Sequence, residues 1–206
     1  MNQSLPLRCN SYYILLFLGL CSCSGCDIDR TQLELNKANT DVQLVDLTTG
    51  KCLVNEIEAD VSARHKNQLT SLLSKHLEDI IKDSVVHVNS ASSLFKGKIP
   101  FEIGPELLDT LRRTTSYTYL LNVRAVKMGN SDDRVGVDMI IYDLDTRNII
   151  YNQSVVANEF QPQDDSGFTF YFGRSNYNLV KNALQSGLRD LKKGAKKFNK
   201  AQVKGN

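Results

Sequence analysis

No stretch of this 206-residue chain holds the roughly 18 consecutive apolar residues that a membrane-spanning helix needs; the longest run, Tyr12–Leu20, is about half that. Charge of either sign is close to balance. There are 25 basic and 23 acidic side chains, and without the first 22 residues, which carry Arg8 and no acid, 24 stand against 23. That balance argues against nucleic acid as the main partner, because phosphate backbones select a strongly basic face. No Cys-x-x-Cys pair recurs downstream with matching ligands, so a structural zinc site is excluded. There is no Gly-x-Ser-x-Gly, no Gly-rich phosphate loop, and no Cys set beside a His motif. Histidine is scarce as well. His65 and His76 are eleven residues apart, about 16 Å along one helix face, too far to share a metal. His87 alternates with Val86 and Val88 and reads as a sheet residue.

The N-terminus is more informative. A polar opening carrying Arg8 leads into the apolar run Tyr12–Leu20 and then into Cys21-Ser22-Cys23-Ser24-Gly25-Cys26. Basic, then apolar, then small is the order of an export signal. Leu20-Cys21-Ser22-Cys23 resembles the signals of bacterial lipoproteins, in which a Leu and a small residue lead into an obligate Cys whose thiol takes the diacylglycerol. Cys23 is the expected attachment site. Cys26 is the alternative, with a better Gly before it but Cys23 in the Leu position. The resemblance spans residues 1–26 and implies a signal peptide over 1–22, lipid (palmitate and diacylglyceryl) on the cysteine, and a bilayer as partner. It also implies a location on the cell outer membrane, facing the periplasm, if Ser24 follows the lipidated residue. The inner membrane is the alternative if Asp27 follows it. With Cys9 and Cys21 removed, Cys26 and Cys52 remain, and a disulfide between them stays open.

Residues 23–40 are polar and short of aromatics and read as a lipidated tether, 41–198 as one folded domain, and 199–206 as a basic flexible tail. The runs 42–47 and 51–57, flanking Thr48-Thr49-Gly50, predict a hairpin. Leu69, Leu72, Leu73, Leu77, Ile80 and Ile81 recur at helical spacing and predict a helix over 62–82, and Leu107, Leu108 and Leu111 predict another over 105–114. Ser84–Asn89 reads as a short strand. Tyr117–Met128, Arg134–Asp143 and Asn148–Glu159 predict an antiparallel meander, and Val180, Leu184, Leu188 and Leu191 a helix over 177–197. The fold class is α+β, a mostly antiparallel sheet with helices packed on it. Leu44–Asn55 and Ile141–Asn152 echo one another, as two hairpins with the same turn chemistry would.

Tyr117–Val123, Val135–Thr146 and Ile149–Asn152 resemble the strand-turn-strand core of a group of periplasmic lipoproteins. The group includes the curli-secretion lipoprotein, the lipoprotein activators of penicillin-binding proteins, an exopolysaccharide-export lipoprotein and the amino-terminal domain of the Tol-system propeller protein. Arg147 stands where that group usually has Gly, and the N-terminal hairpin is extra. The resemblance implies a non-catalytic module that binds or assembles envelope components, an envelope protein or cell-wall polymer as partner, and no cofactor. Alternatives are a ring-forming subunit of a secretion or export system, which would be a homo-oligomer, and an envelope hydrolase.

The nearest approach to catalytic chemistry is Asp143-Leu144-Asp145-Thr146, an incomplete Asp-x-Asp phosphatase motif. Arg147 breaks it and too little chain follows for a parallel sheet, so Asp143 is expected as a turn residue and the protein as no enzyme. Two segments suit contact better. Phe168, Phe170, Tyr171 and Phe172 lie in a stretch opened by Pro, Asp and Gly, and read either as a partner or lipid contact or as one more strand folded into the core. Lys192, Lys193, Lys196 and Lys197 lie in a basic C-terminal run with one acid, Asp190, and read as a solvated face or a contact with anionic headgroups or cell-wall polymer.

Overall fold

The computed structural model describes residues 28–30, 32–47, 50–81, 84–87, 99–129, 133–160, 170–172 and 175–205. The described residues form β1 (Ile28–Arg30), β2 (Gln32–Lys37), β3 (Lys51–Val54), α1 (Ala63–Glu78), β4 (Ser84–His87), α2 (Pro105–Thr114), β5 (Tyr119–Lys127), β6 (Arg134–Asp143), β7 (Asn148–Phe160), β8 (Phe170–Phe172) and α3 (Asn176–Gly205). The chain divides into two compact units, residues 1–32 with 161–173 and residues 33–160 with 174–206. In the smaller, β1 and β8 pair in parallel, Ile28 opposite Phe170 and Arg30 opposite Phe172.

The larger unit is α+β and is built on a six-stranded sheet of order β2-β7-β6-β5-β3-β4. Its centre is the predicted meander: β5, β6 and β7 are antiparallel, with Leu121 opposite Ile141 and Ile141 opposite Tyr151. A bulge between Ile141 and Tyr142 then shifts the register, so that Tyr142 faces Ile149. Alternate residues of these strands point to opposite faces. On one face Leu121, Val123, Val137, Met139, Ile141, Tyr151 and Val155 meet α1 and α3 through Leu69, Leu73, Leu77, Leu184, Leu188 and Leu191, all buried. On the other, Leu53, Leu120 and Tyr142 meet Leu108 and Leu111 of α2. The sheet is therefore clothed on both sides over β3 and β5.

The helices start where their local chemistry allows. The Ser62 hydroxyl accepts a hydrogen bond from the backbone N–H of His65 (3.3 Å), capping α1. Pro105 opens α2, where its missing N–H costs nothing.

Three expectations are corrected. Residues 42–47 form no strand, and β3 makes no hairpin with them; it lies parallel to both β4 and β5, with Leu53 opposite Val86 and Leu120. Parallel pairing requires long crossovers, and α1 and α2 supply them. Cys52, Leu53 and Val54 are all fully buried, as befits a strand covered on both faces. The echo between Leu44–Asn55 and Ile141–Asn152 is thus not a repeated hairpin. Second, Gln32–Lys37, expected within the tether, is an edge strand whose Leu33 and Leu35 pack on the main core at period two. Third, the tail is not flexible coil: α3 continues through Gly205.

The segment 42–47 has a different task. The Gln43 carboxamide donates to the Asn152 carbonyl (2.7 Å) and accepts from the Asn152 N–H (3.1 Å), standing in for a neighbouring strand at that point of β7. Asn39 adds a second donor to the same carbonyl (3.2 Å) and accepts from Gln153 (3.0 Å).

Candidate functional site

Helix α3 carries the expected basic contact residues Lys192, Lys193, Lys196 and Lys197. Leu179, Val180, Ala183, Leu184, Leu188, Leu191 and Ala195 turn inward. Arg189, Lys193, Lys196, Lys197 and Lys200 are exposed. At about 100° per residue these five and Lys192 fall within about 140° of arc, a ridge opposite the buried face. The ridge is not uniform. Lys192 donates to Asp79 at 2.7 Å, and its ammonium, by hydrogen bond and by charge, holds the Asp79 carboxyl below the usual carboxylate range. Lys193 lies 3.7 Å from Asp190, which Lys37 of β2 already holds at 2.5 Å. Arg189, Lys196, Lys197 and Lys200 make no ion pair among the described residues.

The other expected sites fare differently. Cys23, Cys26 and Phe168 lie outside the described residues. Phe170, Tyr171 and Phe172 form β8, in the two-stranded sheet rather than the main one. Cys52 is a free thiol, fully buried in β3, and burial pushes its pKa up to about 12. A thiol so placed is inert as a nucleophile.

Asp143 sits in a turn. Its Oδ1 accepts from the backbone N–H of Asp145 (2.8 Å) and of Thr146 (3.1 Å), the arrangement expected of an Asx turn. Arg147 follows with φ of 61°, the left-handed conformation for which Gly is the usual choice. Its guanidinium meets Asp109 of α2 at 2.8 Å, and Arg112 lies 3.7 Å from Asp145, so the turn is tied to the helix beside it. His65 stacks on Tyr177 with ring centroids 4.3 Å apart, and the His76 ring bonds the Leu72 carbonyl (3.1 Å). Among the described residues no group of three His, Cys, Asp or Glu is placed to hold a metal ion, and no helix is long and apolar enough to cross a membrane.

Sequence reasoning passed over a polar network on the face of the sheet that carries α2. Arg124 lies 4.2 Å over the Phe101 ring and reaches Asp138 (3.3 Å) and Glu102 (3.5 Å), while Ser154 donates to Asp138 (2.5 Å). Asn122 donates to the carbonyls of Pro100 (3.1 Å) and Phe101 (2.8 Å), and Asn55 to that of Ile99 (2.8 Å). These groups hold the chain at 99–102 against the sheet. The signal was present: Asn122 and Arg124 interrupt an otherwise apolar strand. Two open grooves of about 430 Å³ each lie on the larger unit, one lined by Glu58, Asp60, Lys66 and Lys127, the other by Glu34, Arg134, Asn158 and Phe160. Both mix charges of opposite sign, as open polar surface does.

No protein-family model matches the chain, and no curated protein matches it in sequence. Solved structures similar to it include a PelC dodecamer from Paraburkholderia phytofirmans, 10% identical over 78% of this chain and 98% of that one, with a TM-score of 0.42. The lipoprotein GNA1162 from Neisseria meningitidis is 14% identical over 57% of this chain and 86% of that one, TM-score 0.40. TolB from Acinetobacter baumannii is 14% identical over 76% of this chain and 31% of that one, TM-score 0.33. These similarities are distant and concern fold only.

Proposed function

We propose that this chain is an exported envelope lipoprotein, held on a membrane by lipid on Cys23 and presenting the larger unit as a non-catalytic module that binds or assembles envelope components. The observation that carries the reading is the order of the N-terminal residues: Arg8, the apolar run Tyr12–Leu20, then Leu20-Cys21-Ser22-Cys23. The fold agrees with it in one respect. The main sheet begins at Gln32, nine residues after Cys23 in the sequence. The absence of catalysis is supported by Asp143, whose carboxylate serves the backbone of its own turn.

Metabolic labelling with a palmitate analogue tests the anchor. Label should be lost in Cys23→Ala and kept in Cys26→Ala; the reverse moves the anchor to Cys26, and label surviving both changes removes the lipoprotein reading. With Ser24 following the lipidated cysteine, the protein belongs on the outer membrane, facing the periplasm. Recovery in the inner-membrane band of a sucrose gradient would instead favour Cys26 followed by Asp27.

A further inference from the structure

We infer that the exposed ridge of α3, formed by Arg189, Lys193, Lys196, Lys197 and Lys200, is a peripheral docking surface for an anionic phospholipid bilayer and sets which side of the protein faces the membrane. The inference rests on the membrane-anchored reading for the source of the bilayer and on the structure for everything else. Charge is distributed unevenly. Residues 189–206 carry seven basic side chains and one acidic one, so the net +2 of the chain is the balance of +6 there and −4 over the remainder. An anionic surface therefore attracts one helix and repels the rest of the molecule, which is an orienting torque as well as an attraction.

Shape points to the same occupant. The ridge from Arg189 to Lys200 is about 16 Å long on an unbroken helix and lies on the side away from its buried face, so a flat surface can approach all five charges. A polymer chain would be gripped better by a groove, and the two grooves described above are lined by residues of other elements. Four of the five side chains are lysines, compact ammonium charges without the fork that reads a particular phosphate, which suits headgroups in general. Between Lys193 and Lys200 the exposed positions are polar, and Val203 is the one large apolar side chain exposed on the described part of α3. The contact is accordingly electrostatic, without insertion, and must fall with salt, since charges beyond about 8 Å are screened at physiological ionic strength. Lys192 takes little part because Asp79 holds it.

Lysine acetylation followed by mass spectrometry tests this on the mature acylated chain in vesicles of phosphatidylcholine, with and without phosphatidylglycerol. In anionic vesicles at low salt, labelling at Lys193, Lys196, Lys197 and Lys200 should slow about fivefold, on the order of the contribution of one basic residue at such a surface. The exposed Lys51 should be unchanged, and high salt should restore the ridge. Equal labelling in both vesicles overturns the proposal, as does protection that survives high salt. Protection that appears only when a soluble anionic polymer is added also overturns it, and would assign the ridge to that polymer. The readout does not depend on which cysteine carries lipid, so failure here leaves the acylation test standing, and a shift of the anchor from Cys23 to Cys26 there leaves this one standing.

Discussion

Replacing Gly194 with alanine should destabilise the fold, although alanine is the better helix former by about 1 kcal/mol. Gly194 is buried in α3, and a Cβ built on it would stand 2.0 Å from the carbonyl oxygen of Gln43 and 3.2 Å from the carbonyl carbon. Ordinary contact needs about 3.5 Å, so either α3 or the segment 42–47 must move by more than about 1 Å. Movement of that segment loosens the Gln43 carboxamide from Asn152, two hydrogen bonds worth about 1 kcal/mol each. Overpacking typically costs about 1–3 kcal/mol more. Set against the helical gain, the balance is a loss of about 2–4 kcal/mol, or from about 4 °C upward in a chain of this size. Gly187→Ala is the control. It sits in the same helix with the same propensity gain, but its Cβ would meet the Met139 sulfur at 2.8 Å, and a thioether can swing aside. That variant should stay within about 1 kcal/mol of the parent. Urea unfolding followed by far-ultraviolet circular dichroism should show a lower midpoint at unchanged slope for Gly194→Ala only. Equal midpoints for the two variants, or a Gly194→Ala protein as stable as the parent, would refute the reasoning.

Three further outcomes are expected. Cys52, buried and with its pKa pushed up to about 12, should resist a thiol reagent at neutral pH until urea unfolds the chain, as peptide mapping after alkylation would show; fast labelling of the native protein would place the thiol outside the core. Asp143→Ala should cost about 1 kcal/mol by orphaning the N–H groups of Asp145 and Thr146, while Asp143→Asn, which keeps an acceptor, should cost less. A magnesium-dependent phosphatase activity lost in a stable Asp143→Asn protein would overturn the non-catalytic reading. The carboxyl of Asp79 is held below its ordinary range by Lys192, so their pairing contributes above the ordinary carboxylate pKa and is lost as pH falls through the lower, folded value. Asp79→Asn should therefore flatten the acid limb of the stability profile slightly, with a small loss at neutral pH and almost none in acid; a larger effect in acid than at pH 7 would contradict the sign.

Much of the architecture is legible along the chain because it is local. Helical spacing of leucines placed α1 within residues 62–82 and α2 at 105–114, and alternation around Val135, Val137, Met139 and Ile141 placed the central strand of the meander. Antiparallel neighbours joined by short turns need no information from elsewhere. The basic run of α3 was visible in the same way, since seven of its last residues are Lys or Arg.

What the sequence by itself determined is which residues are buried and on which face; tertiary structure decided their neighbours. Cys52-Leu53-Val54 is apolar throughout, which fits a strand covered on both faces, but nothing in those residues says whether its partner runs parallel or antiparallel. Only the crossovers through α1 and α2 set it between β4 and β5. Leu33 and Leu35 had the period of a strand, yet a short alternating stretch is worth little until an unpaired sheet edge accepts it, and β7 supplied that edge. The ridge shows the same division. Four lysines looked equivalent in sequence, and packing separated them: Asp79, 113 residues away, holds Lys192, Asp190 draws on Lys193, and Lys196 and Lys197 are left to solvent. Side-chain chemistry is carried by each residue, whereas pairing depends on distances between parts of the chain that only the folded backbone brings together.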